Sequence, residues 1–259
     1  VYIDAYNDCD TVQDSLYICT IEDPISSFNL DTLQGCHPLT VNTDTTGTTQ
    51  NAAYTWNVYD QNGTIVQTYN SHQNNFTLTN TSNTTDVTYT IELIVGDPST
   101  GCDSTLLSNT ITVFHNPDAL FTLSNTALCA PNSITATDIS ITGDTLSYIW
   151  TTVNTTPTIN NPNSNSTTID FIDNQTGSSN FYDVNLLVTD SRGCVDSNTY
   201  NVELFTRPIS NFSIVDTGCG EVTYTPTNNT QFASSYNWTV TPNTNVQILN
   251  LTDFEPNIT

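Results

Sequence analysis

Seven cysteines and three histidines are the residues of this 259-residue chain whose side chains most readily do chemistry. The cysteines are Cys9, Cys19, Cys36, Cys102, Cys129, Cys194 and Cys219, and no two of them have the spacing of a CxxC zinc or redox motif. The histidines, His37, His72 and His115, are scattered along the chain. This cysteine content, in a lysine-free chain rich in Asn and Thr, indicates disulfides formed in an oxidising compartment.

Catalytic motifs are missing from the sequence. No HExxH, glycine-rich phosphate loop or EF-hand ladder is present, and no histidine lies in a motif typical of a Ser-His-Asp triad. The absence of lysine excludes Schiff-base chemistry and Lys–Asn isopeptide crosslinks. We therefore expect no enzyme and interpret each histidine as an ordinary surface residue.

The charge of the chain limits its partners. Its net charge is −24, with only Arg192 and Arg207 as cations, so we expect no nucleic-acid partner. No apolar run is long enough to cross a bilayer, so we expect no membrane insertion. No cofactor is predicted. Calcium is the open alternative, because Glu22 and Asp23 precede a proline in the manner of an acidic domain seam, although other seams do not repeat this pattern.

Two stretches of the sequence read almost alike. Residues 89–102 are YTIELIVGDPSTGC and residues 182–194 are YDVNLLVTDSRGC. Both begin with an apolar residue at every second position, which predicts a strand with one buried face, and both then break into a turn followed by a cysteine. With few helix formers elsewhere, this pattern predicts an all-β protein.

Further landmarks recur about every ninety residues. Each repeat has a cysteine before a strand, a Tyr-x-Trp triplet, a turn cysteine and a seam proline. The positions are Cys36, Cys129 and Cys219; Trp56, Trp150 and Trp238; Cys9, Cys102 and Cys194; and Pro24, Pro117 and Pro208. We predict tandem β-sandwiches arranged like beads: residues 1–24 as the end of a preceding domain, 25–117 and 118–208 as complete domains, and 209–259 as the first half of a following domain. The chain is accordingly expected to be a segment of a longer array.

The repeat leads to a disulfide hypothesis. Within each complete unit the available partners are Cys36 with Cys102 and Cys129 with Cys194. Cys219 is left to pair beyond Thr259, and Cys9 and Cys19 pair either with each other or with a preceding segment. In a strict immunoglobulin topology the two cysteines of a unit lie at opposite poles, so this pairing requires the early cysteine to lie on a segment that folds back.

The Tyr-x-Trp triplet permits two interpretations. Its two side chains point to one face of a strand, as in a sugar-stacking platform. The other interpretation is a core tryptophan on a central strand of a sandwich. Because the triplet occurs once per unit at the same place, we predict that Trp56, Trp150 and Trp238 are core residues.

The early cysteine, the Tyr-x-Trp triplet, the Y-x-V-x-L-x-V-x-D-x-x-G-C stretch and the seam proline together resemble the PKD-type repeats of Bacteroidota cell-surface proteins, such as giant gliding-motility adhesins and secreted filaments. The resemblance covers the whole chain. One departure is the missing Phe-Gly-Asp-Gly turn, in whose place stand NVYDQNG, TTVNTTP and TVTPN. This departure indicates a divergent PKD-like branch.

The resemblance also implies O-glycosylation, since proteins of this source carry glycans at Asp-Ser/Thr followed by an apolar residue or Thr. The candidate acceptors are Thr11, Ser15, Thr32, Thr45, Ser104 and Thr145. Sequons of the Asn-x-Ser/Thr type are also present, and they would be acceptors in a eukaryotic secreted protein.

We therefore expect an extracellular, cell-surface protein that is the repeat segment of a long adhesin or filament and mediates attachment or gliding. Its expected partners are neighbouring repeats, surface polysaccharide or other filament subunits. The alternatives are a carbohydrate-binding accessory module of a secreted hydrolase, a viral or eukaryotic surface glycoprotein, and a secreted enzyme.

Overall fold

A computed structural model describes residues 2–15, 22–97, 101–108, 110–153, 157–215, 222–241 and 245–259. All regular secondary structure within these residues consists of β-strands, so the all-β prediction is confirmed. The chain divides into two compact units, Val1–His115 and Asn116–Thr259. The finer division at residues 24, 117 and 208 stays a prediction.

The first unit contains a hairpin and a two-sheet sandwich. The hairpin pairs β1 (Tyr2–Tyr6) with β2 (Thr11–Ser15), and all of its strand residues are exposed. The larger sheet has the order β4 (Gln34–Cys36), β11 (Ile111–Phe114), β9 (Val87–Asp97), β6 (Ala53–Tyr59) and β7 (Ile65–Tyr69), with β10 (Cys102–Leu107) also paired to β9. The smaller sheet has the order β3 (Asn29–Leu30), β5 (Leu39–Asp44) and β8 (Asn75–Leu78).

Alternation along the strands builds the core of this sandwich. Ile91, Leu93 and Val95 of β9 are fully buried, and Trp56 of β6 lies directly opposite Leu93. From the other sheet, Val41 and the neighbouring apolar residues of β5 and β8 close the core. The period-two pattern of the sequence therefore marks the buried face correctly.

The second unit contains a similar sandwich. One sheet has the order β12 (Phe121–Leu123), β14 (Asn132–Asp138), β17 (Ser166–Phe171) and β16 (Thr158–Ile159). Its edge strand β16 pairs with β17, whereas β7 of the first unit pairs with the tryptophan strand β6. The other has the order β13 (Ala127–Cys129), β19 (Val195–Phe205), β18 (Asn180–Asp190) and β15 (Leu146–Thr152). Trp150 of β15 lies opposite Leu186 of β18, as Trp56 does opposite Leu93. Both sandwiches are immunoglobulin-like in plan.

Residues 209–259 form a smaller set of strands. β20 (Phe212–Ser213) pairs with β21 (Thr227–Asn228), and β22 (Ile248–Leu249) pairs with β23 (Asn257–Ile258). An isolated bridge between Tyr224 and Ile258 joins the two pairs. This bridge matches the pairing of Ile134 with Ile169 in the preceding sandwich, so one of the two sheets is recognisable here.

Each predicted seam is followed by the same backbone clamp. The Thr49 amide donates to the carbonyl oxygen of Ile25 (3.0 Å), while Asp118 pairs with Ile141 and Ile209 with Gln231. One residue of each pair directly follows a seam proline: Ile25 follows Pro24, Asp118 follows Pro117 and Ile209 follows Pro208. The repeat detected in the sequence is therefore also a repeat of backbone hydrogen bonding.

Candidate functional site

The tryptophans of the two sandwiches are core residues. Trp56 is 0% exposed and Trp150 is 1% exposed. Each indole Nε1–H donates to a backbone carbonyl, that of Ser71 or Ser164, at 2.8 Å in both cases. Side chains buried in this way have no free face on which a sugar could stack, so these two tryptophans form no carbohydrate platform.

The triplet tyrosines lie partly buried beside these tryptophans. The Tyr54 hydroxyl donates to the carbonyl oxygen of Thr49 (2.7 Å), within the backbone clamp, and its ring contacts the His72 ring edge to face at 4.8 Å. Burial and the nearby Asp138 carboxylate raise the pKa of Tyr148. Both triplet tyrosines therefore contribute to the packing of their sandwiches.

Two buried asparagines were missed by the sequence analysis. The Asn80 Nδ2 amide donates to the carbonyl oxygens of Thr85 (2.9 Å) and Val113 (3.0 Å). The Asn174 Nδ2 amide makes the equivalent bonds to Ser178 and Leu204, both at 2.9 Å.

Each of these asparagines ties the loop that precedes a long strand to the last strand of its own sandwich. Their equivalent positions in the repeat could have identified these asparagines, since Asn80 follows Trp56 by 24 residues and Asn174 follows Trp150 by 24 residues. Residue type alone was no signal, because asparagine is abundant throughout the chain.

The predicted disulfide pairings are wrong. Cys36 and Cys194 are each disulfide-bonded, whereas Cys102 and Cys129 carry thiols. Cys9 is an exposed thiol. Cys19 and Cys219 lie outside the described residues.

Strand geometry explains the error. Cys36 is level with Phe114, beside the start of β9, whereas Cys102 is level with Asp97 at its end. The eleven residues of β9, Val87–Asp97, span about 30 Å, and a disulfide requires Cα atoms within about 7 Å.

The second sandwich separates its two cysteines in the same manner. Cys129 is level with Phe205, and Cys194 precedes Val195, at the two ends of β19. The early cysteine does not fold back in either unit, so the opposite-pole geometry of the immunoglobulin plan decides the outcome.

The histidines are not all surface residues. His115 is 2% exposed, and its Nδ1 lies 2.8 Å from an oxygen of Asp86, so its interpretation as a surface residue is wrong. The His37 Nδ1 accepts a hydrogen bond from the backbone N–H of Asn80 (2.9 Å). His72 is partly buried between Thr45 and Gln50. Each histidine therefore fixes a loop of the first unit.

The candidate glycosylation residues differ in access. Thr11, Ser15 and Thr145 are exposed, whereas Thr32 and Ser104 are half-buried. Thr45 is 2% exposed, so its hydroxyl cannot accept a glycan on the folded chain and this candidate is wrong. The remaining five stay predictions.

The acidic seam lies at the surface. Glu22 and Asp23 are exposed and line a shallow cleft together with Thr49 and the next three residues of the clamp loop. Calcium at this seam stays a prediction.

A polar patch lies on the outer face of the first sandwich. Glu92 accepts hydrogen bonds from the Tyr59 hydroxyl (2.6 Å) and from the Asn57 amide (2.8 Å). The Glu92 hydrogen bond is the main reason that the pKa of Tyr59 is raised. The two hydrogen bonds hold the Glu92 carboxylate in place between β6 and β9.

The third tryptophan differs from the first two. The Trp238 Nε1–H donates to the carbonyl oxygen of Asp253 (3.0 Å), yet the side chain is only partly buried. The same region contains an open groove of mixed polarity, lined by Val222, Tyr224, Val240 and Ile258 among others, with a volume of about 1180 Å³. Trp238 is therefore anchored like a core residue without being enclosed like one.

Comparison with known proteins yields distant structural likenesses alone. No family model matches the sequence, and no curated protein matches it. Among solved structures, murine CEACAM1b is 13% identical, with 70% of this chain and 100% of that chain covered and a TM-score of 0.28.

Two further likenesses are of the same order. Domains EC21-23 of human CDH23 are 13% identical (80% and 81% covered, TM-score 0.28), and the D00-D0 domain of intimin is 14% identical (69% and 99% covered, TM-score 0.28). Scores this low carry no argument about function, so the immunoglobulin-like assignment rests on the sheets and cores described above. Within the part of the chain that the structure describes, no helix has the length and hydropathy to span a bilayer.

Proposed function

We propose that this chain is a stretch of tandem immunoglobulin-like repeats that forms the load-bearing shaft of an extracellular cell-surface adhesin or filament. The PKD-like features of the sequence favour a Bacteroidota adhesin that serves attachment or gliding. Neighbouring repeats, surface polysaccharide and other filament subunits are its proposed partners. No catalytic role and no required cofactor are part of the proposal.

The observation that carries the proposal is the parallel pairing that closes each sandwich. In the first unit the terminal strand β11 runs parallel to β4, near the start of the sandwich, with Thr112 level with Gln34 and Phe114 level with Cys36. In the second unit β19 runs parallel to β13 in the same way.

This arrangement suits a chain under tension. A pull on both ends of a sandwich draws two parallel neighbouring segments in opposite directions along their length. Their hydrogen bonds are then loaded in shear and must break together, whereas a hairpin pulled at its open end loses one bond at a time. The end-to-end resistance of each repeat is therefore built into its topology.

The junction after the second sandwich also supports the proposal. The Arg207 amide donates to the carbonyl oxygen of Asn174 (2.7 Å), and the Thr206 hydroxyl lies 3.3 Å from the same oxygen. The Gly177 amide in turn donates to the Thr206 hydroxyl (3.2 Å). A junction held at several points transmits force, whereas a flexible linker only stretches.

The surface suits exposure outside a cell. Both arginines lie near aspartates, Arg192 at 3.1 Å from Asp144 and Arg207 at 3.5 Å from Asp173, and the chain has no other lysine or arginine at which trypsin could cut. The large net negative charge opposes side-by-side bundling of such shafts.

A single-molecule pulling experiment tests the proposal. The backbone N–H of Thr112 donates to the carbonyl oxygen of Leu33 (2.9 Å). Thr112→Pro therefore removes one hydrogen bond of the parallel pairing between β4 and β11. We expect the unfolding force of the first sandwich to fall while that of the second stays unchanged. Thr112→Val, which keeps the amide, is the matched control.

Two results would count against the shaft. One is an unfolding force as low in the unmodified chain as in the proline variant. The other is a loss of force that is equal for the proline and valine variants, since the parallel bond would then bear no load.

A further inference from the structure

A cleft runs along the outer face of the larger sheet of the first sandwich, in which both sheets are present. Its volume is about 560 Å³, within the range of about 300–1,000 Å³ that is usual for small-ligand sites. Its floor is the polar face of β9, where Thr88, Thr90 and Glu92 lie at every second position. Tyr59 lies opposite Thr90 on one side, and Leu107 lies opposite Glu92 on the other. The cleft therefore combines an aromatic ring, an apolar side chain and a row of polar groups.

A hydrogen-bonded network fixes the carboxylate at the centre of this cleft. Glu92 receives the two bonds described above, from Tyr59 and Asn57, on the same oxygen, Oε2. Asn57 is only 8% exposed, and its Oδ1 in turn accepts a hydrogen bond from the Thr68 hydroxyl (3.1 Å). These bonds leave Oε1 of Glu92 to accept from a further donor. The carboxylate is thus oriented before a ligand arrives, which lowers the ordering cost of binding.

The charges around the cleft decide against several classes of ligand. Both arginines of the chain belong to the second unit and lysine is absent, so the first unit has no Lys or Arg with which to bind a phosphate, a sulfate or a carboxylate. A metal ion is not favoured either, because Glu92 belongs to no group of three potential metal ligands within the residues described. The cleft therefore suits an uncharged ligand.

Neutral saccharides match the groups that line the cleft. A sugar ring has C–H groups on its faces, which pack against aromatic and apolar side chains, and hydroxyl groups at its edge, which both donate and accept hydrogen bonds. Tyr59 and Leu107 offer the apolar contacts, and Oε1 of Glu92 offers an acceptor. The hydroxyls of Thr88 and Thr90 pair with sugar hydroxyls in either direction. An ammonium group only donates, so it would use the acceptors of this cleft and none of its donors.

The second sandwich shows that the fold itself does not need this carboxylate. Glu92 lies opposite Asn57 in the first sandwich, and Asn185 lies opposite Thr151 at the equivalent place in the second. The Asn185 Nδ2 donates to the Thr151 hydroxyl (3.4 Å), and its Oδ1 accepts from the Thr199 hydroxyl (2.9 Å). Both ends of that amide are therefore used within the sheet, whereas Glu92 keeps one oxygen for a ligand.

We propose that the cleft around Tyr59 and Glu92 binds a neutral saccharide, as part of an uncharged polysaccharide on another surface. Glu92 accepts a sugar hydroxyl, and Tyr59 both packs against the sugar ring and holds Glu92 in place. The inference deepens the proposed function and rests on it for its biological meaning, since it gives the polysaccharide partner of the shaft a site and a chemical class. A site of this kind lets the shaft itself take part in attachment.

The test measures binding of the 259-residue chain to a panel of neutral oligosaccharides built from glucose, mannose, galactose, xylose or N-acetylglucosamine. Saturation-transfer NMR detects binding, and titration calorimetry measures the affinity. Oligogalacturonate, calcium chloride and an oligolysine peptide are the charged probes. We expect at least one neutral oligosaccharide to bind, with an affinity that calcium ions leave unchanged, and oligogalacturonate not to compete with it.

Two variants of the cleft and one matched control locate the site. Glu92→Gln keeps the size of the side chain, and it should weaken saccharide binding about tenfold, because hydrogen bonds to a charged acceptor are roughly twice as strong as neutral ones. Leu107→Asp changes a side chain that is 57% exposed, so it should remove binding without unfolding the sandwich, which covers the case in which Glu92→Gln fails to fold. Asn185→Asp, at the equivalent place in the second sandwich, should leave the affinity unchanged.

Two results would overturn the proposal: no member of the neutral panel binds, or binding is the same in both cleft variants as in the control. Oligolysine that binds more tightly than any saccharide, and only while Glu92 is present, would also overturn it in favour of a cationic ligand. The pulling experiment on Thr112 separates this inference from the shaft. A low unfolding force with intact saccharide binding would contradict the shaft, whereas a high force with no saccharide binding would contradict the cleft alone.

Discussion

The Phe–Trp pair occurs in two states within the second unit. In the complete sandwich the rings of Phe121 and Trp150 meet at an interplanar angle of 88°, and in residues 209–259 those of Phe212 and Trp238 meet at 77°. The backbone amide of Trp150 donates to the carbonyl oxygen of Pro162 (2.8 Å), and that of Trp238 donates to Leu251 (2.9 Å). The local geometry is the same, and only the enclosure differs.

This difference separates two contributions to the fold. Contacts within the first half of a repeat are enough to place the tryptophan against its phenylalanine and to fix the indole hydrogen bond. Exclusion of water requires the later hairpin, which brings in the alternating apolar strand. We infer that the first half provides the position of the core and that the hairpin provides most of its stability.

The largest expected effect compares the two tryptophans directly. Trp150→Ala should destabilise its sandwich by about 3–5 kcal/mol, the usual cost of emptying a fully buried aromatic site. Trp238→Ala should cost well under half of that, because its surroundings already face water. Urea unfolding of the two variants, with each tryptophan replaced by Phe as a control for size, measures the difference.

The buried asparagine gives the next effect. Asn174→Asp keeps the shape but cannot donate to the carbonyl oxygens of Ser178 and Leu204, so we expect a loss of about 2–4 kcal/mol at neutral pH. Part of this loss should be recovered in acid, where the carboxyl is protonated and regains one donor. Asn80→Asp should have the same effect in the first unit, and a neutral result at both sites would contradict the role assigned to these side chains.

A pair of glycines tests the junction with residues 209–259. Gly177 has φ +86°, and an added Cβ would lie 2.6 Å from the Phe232 ring, whereas Gly193 has φ +90° and nothing within 4 Å. Alanine at either position costs about 1–2 kcal/mol of backbone strain. Gly177→Ala should in addition displace Phe232, which hydrogen exchange at residues 230–233 would report. Equal exchange in the two variants would show that the contact is unimportant.

The smallest effect is the acid dependence of the complete sandwich. Hydrogen bonds from the Ser133 hydroxyl and the Asn160 amide lower the pKa of Asp170 below its usual value. A carboxyl whose pKa is lower in the folded state stabilises that state above its unfolded pKa of about 3.9, and this contribution is lost as the pH falls through the folded pKa. Asp170→Asn should therefore flatten the stability profile below about pH 4. A profile unchanged by the substitution would contradict this assignment.

Much of the fold was predictable because strand periodicity is a local property. The alternation in residues 89–95 and 182–188 marks the buried faces, and the repeated triplet marks the central strands that carry Trp56 and Trp150. The seam prolines at 24, 117 and 208 mark the positions where the backbone clamps begin. Each of these signals lies within a few residues of the structure that it specifies.

The errors concern relations between distant segments. Cys36 and Cys102 belong to one sandwich, but their separation depends on the direction and length of β9, which composition does not reveal. Asn80 and Asn174 are ordinary in type and become distinctive only when their partners on the last strand are known. The partial burial of Trp238 is a different case, because the prediction of residues 209–259 as the first half of a domain already leaves that tryptophan without its later strands.

The most direct test of the account is the force–extension curve of the 259-residue chain with its disulfides reduced. Two separate sandwiches of like topology should unfold in two steps of similar force, each releasing about 90 residues, or about 30 nm of contour length. Residues 209–259 should extend at much lower force, since their core is not enclosed. A single step of about twice that length would show one merged cooperative structure and would contradict the account.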